Sequence, residues 1–296
     1  MSNRIGVVTD SHCGISGELA EQLGVTVLPA SYGVFGRIFR EDGSISREEF
    51  MQMLRDGALV NTFQPAPGEL METWDAALRT ADEIVYVPIG SMLSGSYDTA
   101  CQLARDSKYK GRVTVVDTKR VSAPQLRSVM DACELIEDGL PAKTIRKTLE
   151  ATCMKSCTYV ALDTLEYLQR GGRIPKAVSV IGEALNVKPI VEFTAKGLQL
   201  AKTARGMAKA RLSMIDTVRK DLEKLLAGGL PAKSIALLAA GSSSETKTAK
   251  WIAQLEEAFP GMKVLYGDLP LAICCHIGPD ALGVGLAHMP SVRWAD

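Results

Sequence analysis

Three short runs rich in Val and Ile, at residues 4–9 (RIGVVT), 83–89 (EIVYVPI) and 112–116 (RVTVV), are separated by segments with helical spacing. Strands that come back in the same direction need a crossover, and a helix is the usual one, so this order calls for a parallel sheet with helices on its faces. Helices are expected at 16–23, 46–55, 69–80 and 96–108, with a second strand at 24–28. Ser46 followed by Glu49 is a capping-box spacing and sets the start of the second of these helices.

Beyond about residue 160 the spacing changes. Strands are expected at 159–162, 188–193, 199–201, 234–240 and 263–268, and helices at 163–169, 176–185, 207–226 and 246–258. The close pairs among these strands leave room for antiparallel neighbours, so this half is α/β with a mixed sheet. At 296 residues the chain is long enough for two domains, each with its own core. The expected division is an N-terminal α/β domain over 1–160 and a C-terminal α/β domain over 161–296. Gly139-Leu-Pro-Ala-Lys recurs as Gly229-Leu-Pro-Ala-Lys, which helix-ending Gly and helix-opening Pro explain without a duplication.

Composition narrows the function. The 34 basic and 34 acidic residues cancel, which argues against a polyanion such as nucleic acid as the main partner. Aromatics are only 5% of the chain, too few for a base-stacking surface. The first residues do not read as a signal peptide, and no apolar run reaches the roughly eighteen residues a membrane span needs, so a cytoplasmic protein is expected. Seven scattered cysteines do not form a secreted disulfide framework. Cys153 and Cys157 have helix-like spacing without a second ligand pair, and His12, His276 and His288 lie near the chain ends, so neither zinc nor another cofactor is expected.

Several segments have the chemistry of a site. Thr9-Asp10-Ser11 ends the first strand, where open α/β sheets place ligands, although an Asx turn would use the same residues. Gly90-Ser-Met-Leu-Ser-Gly-Ser joins a strand to a helix N-terminus and suits an anion or simple capping. Its spacing fits neither a hydrolase elbow nor a phosphate-binding loop. Thr62 sits in a turn-rich stretch expected to be a loop, and Arg170-Gly-Gly-Arg173 and Lys202-Thr-Ala-Arg205 supply fixed positive charge. His276 falls on an expected Gly-Pro turn. An enzyme using Asp10, Ser94 and His276 on a small phosphorylated or carboxylated substrate, or a regulatory protein, would draw on the same residues.

The motifs taken in order are more specific. Thr9-Asp-Ser, Thr62-x-Gln-Pro-x-Pro-Gly-Glu, Leu93-Ser-Gly-Ser-Tyr, Val116-Asp-Thr, Asp163-Thr-Leu-Glu-Tyr-Leu-x-Arg-Gly-Gly-Arg-Ile, Asn186-Val-Lys-Pro-Ile, Arg205 and His276-x-Gly-Pro together resemble the DegV family, over about residues 5–288. The resemblance implies two α/β domains that hold a long-chain fatty acid (palmitate, stearate or oleate class) in a tunnel between them. It also implies a carrier without catalysis of its own, which presents the carboxylate to a separate fatty acid kinase for acyl phosphate formation in phospholipid synthesis. Thr62, Ser94, Arg205 and His276 are implied as head-group residues; Ser11, Phe63, Gly95 and Gly278 are expected around them, and Arg170, Arg173 and Arg205 are expected to form the docking face for the kinase. Four features depart from the family pattern: Phe63 and His12 where Ser is usual, Asp280 where Gly is usual, and Ala123-Pro-Gln-Leu in place of a glycine-rich stretch.

Overall fold

The computed structural model describes residues 3–153, 155–175, 177–178, 186–194 and 196–290. The chain runs β1 (Ile5–Asp10), α1 (Gly17–Leu23), β2 (Val25–Leu28), β3 (Ser31–Val34), β4 (Arg37–Arg40), α2 (Arg47–Arg55), β5 (Val60–Phe63), α3 (Pro67–Ala77), β6 (Glu83–Val87), α4 (Ser96–Leu103) and β7 (Val113–Val115). It continues as α5 (Ser122–Glu137), α6 (Ala142–Cys153), β8 (Ser156–Ala161), α7 (Glu166–Arg170), β9 (Val187–Thr194), β10 (Gly197–Arg205) and α8 (Met207–Ala227). The last elements are β11 (Ile235–Gly241), α9 (Glu245–Ala258), β12 (Val264–Asp268), α10 (Leu271–Ile277) and β13 (Leu282–His288). The helix expected over 176–185 lies outside the described residues, save 177 and 178.

The expected parallel sheet is present, in the order β2-β1-β6-β7. One face buries Trp74 of α3 edge-on against Tyr86 and Tyr109, and the other packs on α5 and α6. The second sheet is mixed, in the order β10-β9-β8-β13-β11-β12, with only β11 and β12 parallel. The two GLPAK copies open different structures, helix α6 and a short 3-10 turn leading into β11, as expected of a cap used twice. Among the described residues, no helix is long and apolar enough to cross a membrane.

A third sheet, β4-β3-β5, has no counterpart in the sequence reading. Its strands are four residues each, too short for alternation to stand out, and they carry Thr62 on a sheet edge rather than on a loop. This sheet and α2 reach across to the second half. Tyr32, Phe50, Met51 and Leu54 share one core with Leu168, Cys274 and Ile277. Arg47 donates to the carbonyls of Leu269 and Gly241 at 2.8 Å each, and the Tyr167 hydroxyl donates to the Leu54 carbonyl at 3.0 Å. Helix α5 lies between the two large sheets and contacts strands of both.

Candidate functional site

Strands β1 and β6 are neighbours, but α1 packs on one face of the sheet and α4 on the other. The chain therefore leaves the two strand ends in opposite directions and opens a crevice, the usual ligand position in open α/β sheets. A cavity of about 190 Å³ occupies it. His12 reaches it from the end of β1, Ile89, Leu93 and Ser94 from the loop after β6, Thr62 and Phe63 from β5, and Arg173, His276 and Phe193 from the second half.

Thr62 and His276 meet directly, with Oγ1 and Nε2 2.9 Å apart. His276 belongs to the last turn of α10, not to the turn after it. Burial, with the nearby charges of Arg173 and His12, pushes its pKa down to about 4, so the ring is neutral near pH 7. Its buried Nδ1 has no partner among the described residues. A bare acceptor is tolerated better than a bare N–H, so we assign the ring proton to Nε2, where it donates to Thr62. That leaves the Thr62 hydroxyl hydrogen for a ligand.

Gly171 makes this possible. A Cβ at 171 would overlap Nδ1 of His276 and come within 2.7 Å of Cε1, so only glycine lets the end of α7 approach the ring. Two residues on, half-buried Arg173 donates from Nε and Nη2 to the Leu93 carbonyl, both at 3.3 Å, and from Nη1 to the Gly171 carbonyl at 2.7 Å. It thus ties the Leu93–Ser94 loop of the first half to the α7 end of the second. Ser94 shares a 2.8 Å hydrogen bond with Ser96 and accepts from the Ser96 N–H at 3.3 Å, so the same hydroxyl lines the cavity and steadies the start of α4.

Behind the cavity, Asp10 accepts from the Ile89 N–H at 2.8 Å and from the Gln125 amide at 3.0 Å. Its Oδ1 lies 3.0 Å from Nδ1 of His12, at ion-pair distance but off the hydrogen-bond line. Burial opposes the charge on Asp10, but His12 and these N–H donors outweigh it and hold the carboxyl below its ordinary value. Burial likewise opposes the charge on His12, and the negative charge of Asp10 prevails to raise its pKa. Glu41 accepts from the Ser11 hydroxyl at 2.9 Å and from the Leu271 N–H, while burial raises its pKa.

Beside the cavity lies an apolar limb of about 40 Å³ between α5 and the second sheet, and Val121, Phe193, Ile273 and Ile277 line both. Ala123, Val160, Leu238, Ala240 and Leu269 line its far part. The site therefore has donors at one end and hydrocarbon at the other.

Of the residues singled out in the sequence, Thr62, Phe63, Ser94 and His276 come together here. Gly95 abuts Gln64, which also lines the cavity, and a Cβ at 95 would sit 2.6 Å from the Gln64 amide nitrogen. Ser11 lies outside the lining and is occupied by Glu41 and the Ala30 N–H. Gly278 lies outside it as well, packed against Tyr167. Arg205, expected at the head group, is exposed at the end of β10, and Arg170 is exposed and paired with Glu166. Arg173, expected on a docking face, lines the cavity. Asp10, Ser94 and His276 do not form a chain of nucleophile, base and acid: their partners above are His12, Ser96 and Thr62. Asp280 pairs with Lys247 at 2.9 Å and with Arg55 at 3.6 Å, away from the lining.

The model of the DegV family, described as uncharacterised proteins, matches residues 4–288. A DegV domain-containing protein of Deinococcus radiodurans is 30% identical over 285 residues, covering 95% of this chain and 98% of the relative. The solved structure of a fatty-acid-binding DegV family protein from Thermus thermophilus superposes with a TM-score of 0.84 at 31% identity, over 96% of this chain and 99% of that one. DegV of Bacillus subtilis, a fatty acid binding protein, gives a TM-score of 0.83 at 27% identity, over 97% and 100% of the two chains. From residue 4 to residue 288, and through both large sheets, this chain belongs to the DegV family.

Proposed function

We propose that the protein binds one long-chain fatty acid, of the palmitate, stearate or oleate class, and presents its carboxylate to a separate fatty acid kinase for acyl phosphate formation in phospholipid synthesis. The observation that carries this reading is the shape of the cavity: Thr62, Ser94, Arg173 and His276 at one end and an apolar limb at the other. The relatives from Thermus thermophilus and Bacillus subtilis, both fatty acid binding proteins, support it. The hydroxyls of Thr62 and Ser94 donate to the carboxylate, and His276 keeps Thr62 turned toward it. Buried methylenes contribute about 0.8 kcal/mol each, so a sixteen-carbon tail supplies roughly 12 kcal/mol before ordering costs, and the head group sets the register.

In this reading the chain is a two-domain carrier, divided near residue 160, with the ligand between the domains and no chemistry of its own. Arg170 and Arg205, exposed near the site and on β10, dock the kinase. Denaturing extraction of purified protein followed by mass spectrometry tests the reading. Fatty acid is expected in near-stoichiometric amount; none recovered, together with no uptake of added palmitate or oleate, would refute it.

A further inference from the structure

The polar end of the cavity gathers more charge than a hydroxyl cradle needs. Asp10 comes from β1, His12 from the turn after it, Glu41 from beyond β4, Arg173 from beyond α7 and His276 from α10. Both oxygens of Asp10 face donors, which is how an ionised carboxylate is held, and both of Glu41 accept hydrogen bonds although burial raises its pKa. His276 is the neutral member. Arg173 is charged, and three of its five N–H groups, one each on Nε, Nη1 and Nη2, are spent on the carbonyls of Leu93 and Gly171. Among the described residues that line the cavity, His12 is the other group that can carry a positive charge: it is 7% exposed and has Asp10 at 3.0 Å behind it.

We propose that His12, held as an imidazolium by Asp10, is the residue that makes this cavity select a carboxylate head over an uncharged head on the same tail. The inference rests on the fatty-acid reading above and adds a residue to it. Losing the His12 proton lowers the charge of a buried, weakly screened site by one unit, at the place where the ligand brings a further negative charge. A hydroxyl-headed ligand does not feel that change. The carboxylate of Asp10 opposes a ligand carboxylate and the charge of Arg173 favours one, so the protonation of His12 tips the balance.

The test is calorimetric titration of delipidated protein with palmitate and with hexadecanol, for wild type and His12→Gln. Wild type is expected to prefer palmitate by about tenfold or more, the scale of one charge-assisted hydrogen bond. In His12→Gln that preference should fall toward parity, with hexadecanol affinity changing less than palmitate affinity. Retention of the full preference in the variant would overturn the proposal. Should His12→Gln not fold, a pH series on wild type decides: the preference must decline as His12 loses its proton, followed by imidazole NMR shifts, and a flat preference through that titration overturns it. Binding of neither ligand would remove the fatty-acid reading and this inference with it, an outcome distinct from equal binding of both.

Discussion

Gly171→Ala is a one-carbon change that should loosen the ligand without touching it. Gly171 has φ −74° and ψ −7°, a conformation alanine adopts freely, so the backbone gives no reason for glycine there. The reason is His276: the new methyl would overlap Nδ1 and lie 2.7 Å from Cε1. Either the ring rotates away from Thr62 or the end of α7 moves, and overpacking of this kind costs about 1–3 kcal/mol. If the ring moves, the 2.9 Å contact with Thr62 is lost, and the net value of such a bond is about 1 kcal/mol. Palmitate should then dissociate roughly fivefold faster, measured by transfer to an excess of serum albumin. Gly171→Ala in a Thr62→Val background should add little, because the bond it breaks is already absent. Additive effects of the two substitutions, or wild-type release from Gly171→Ala, would refute this coupling.

Thr62→Val and Ser94→Ala should each raise the dissociation constant for palmitate by about three- to tenfold, read by calorimetry, since each removes one donor to the carboxylate. Ala123→Phe, which fills the apolar limb, should weaken palmitate binding more than decanoate binding in competition assays. Charge reversal at Arg170 and Arg205 should reduce acyl phosphate formation by the partner kinase while leaving palmitate affinity within about twofold, because both side chains lie away from the lining. His276, ordinarily near 6.5 and lowered to about 4, contributes stability that is complete above 6.5 and lost as pH falls, because the unfolded chain takes up a proton the buried ring refuses. Urea denaturation across that window should show a steeper acid loss for wild type than for His276→Gln, by up to about 1 kcal/mol per pH unit.

The parallel sheet was legible in the sequence because its strands are short β-branched runs set between amphipathic helices. Where that contrast disappears, so does the signal. Helix α5 is buried on almost every side, from Ser122 through Leu135, including Arg127, Asp131 and Glu134, so it shows no polar face at helical spacing. Its charged residues are paired internally, with Arg127 on Asp131 and Glu134, and from the sequence alone they look like a solvated surface. Strand β13 was hidden for the opposite reason. Gly283 and Gly285 read as turn residues, yet a Cβ at 285 would lie against the backbone of Cys157 on the neighbouring strand, so glycine there serves close strand approach at the centre of a sheet.

Thr62, Ser94 and His276, which stand out in the sequence because their motifs carry oxyanion donors, come together at one cavity. The arginines divide between the cavity and the surface. Arg173 looked like a docking residue because a Gly-Gly pair preceded it, and glycine beside arginine suggests an exposed, approachable turn. In the fold that glycine serves the interior: Gly171 gives room to His276, the same turn points Arg173 back to the Leu93 carbonyl, and one tetrapeptide shapes both sides of the cavity. Arg205, followed by Gly206, stays exposed at the end of β10. The signal that places Arg173 is steric. It lies in which backbone can pass within contact distance of a buried ring, a relation between residues 105 positions apart that no local spacing encodes.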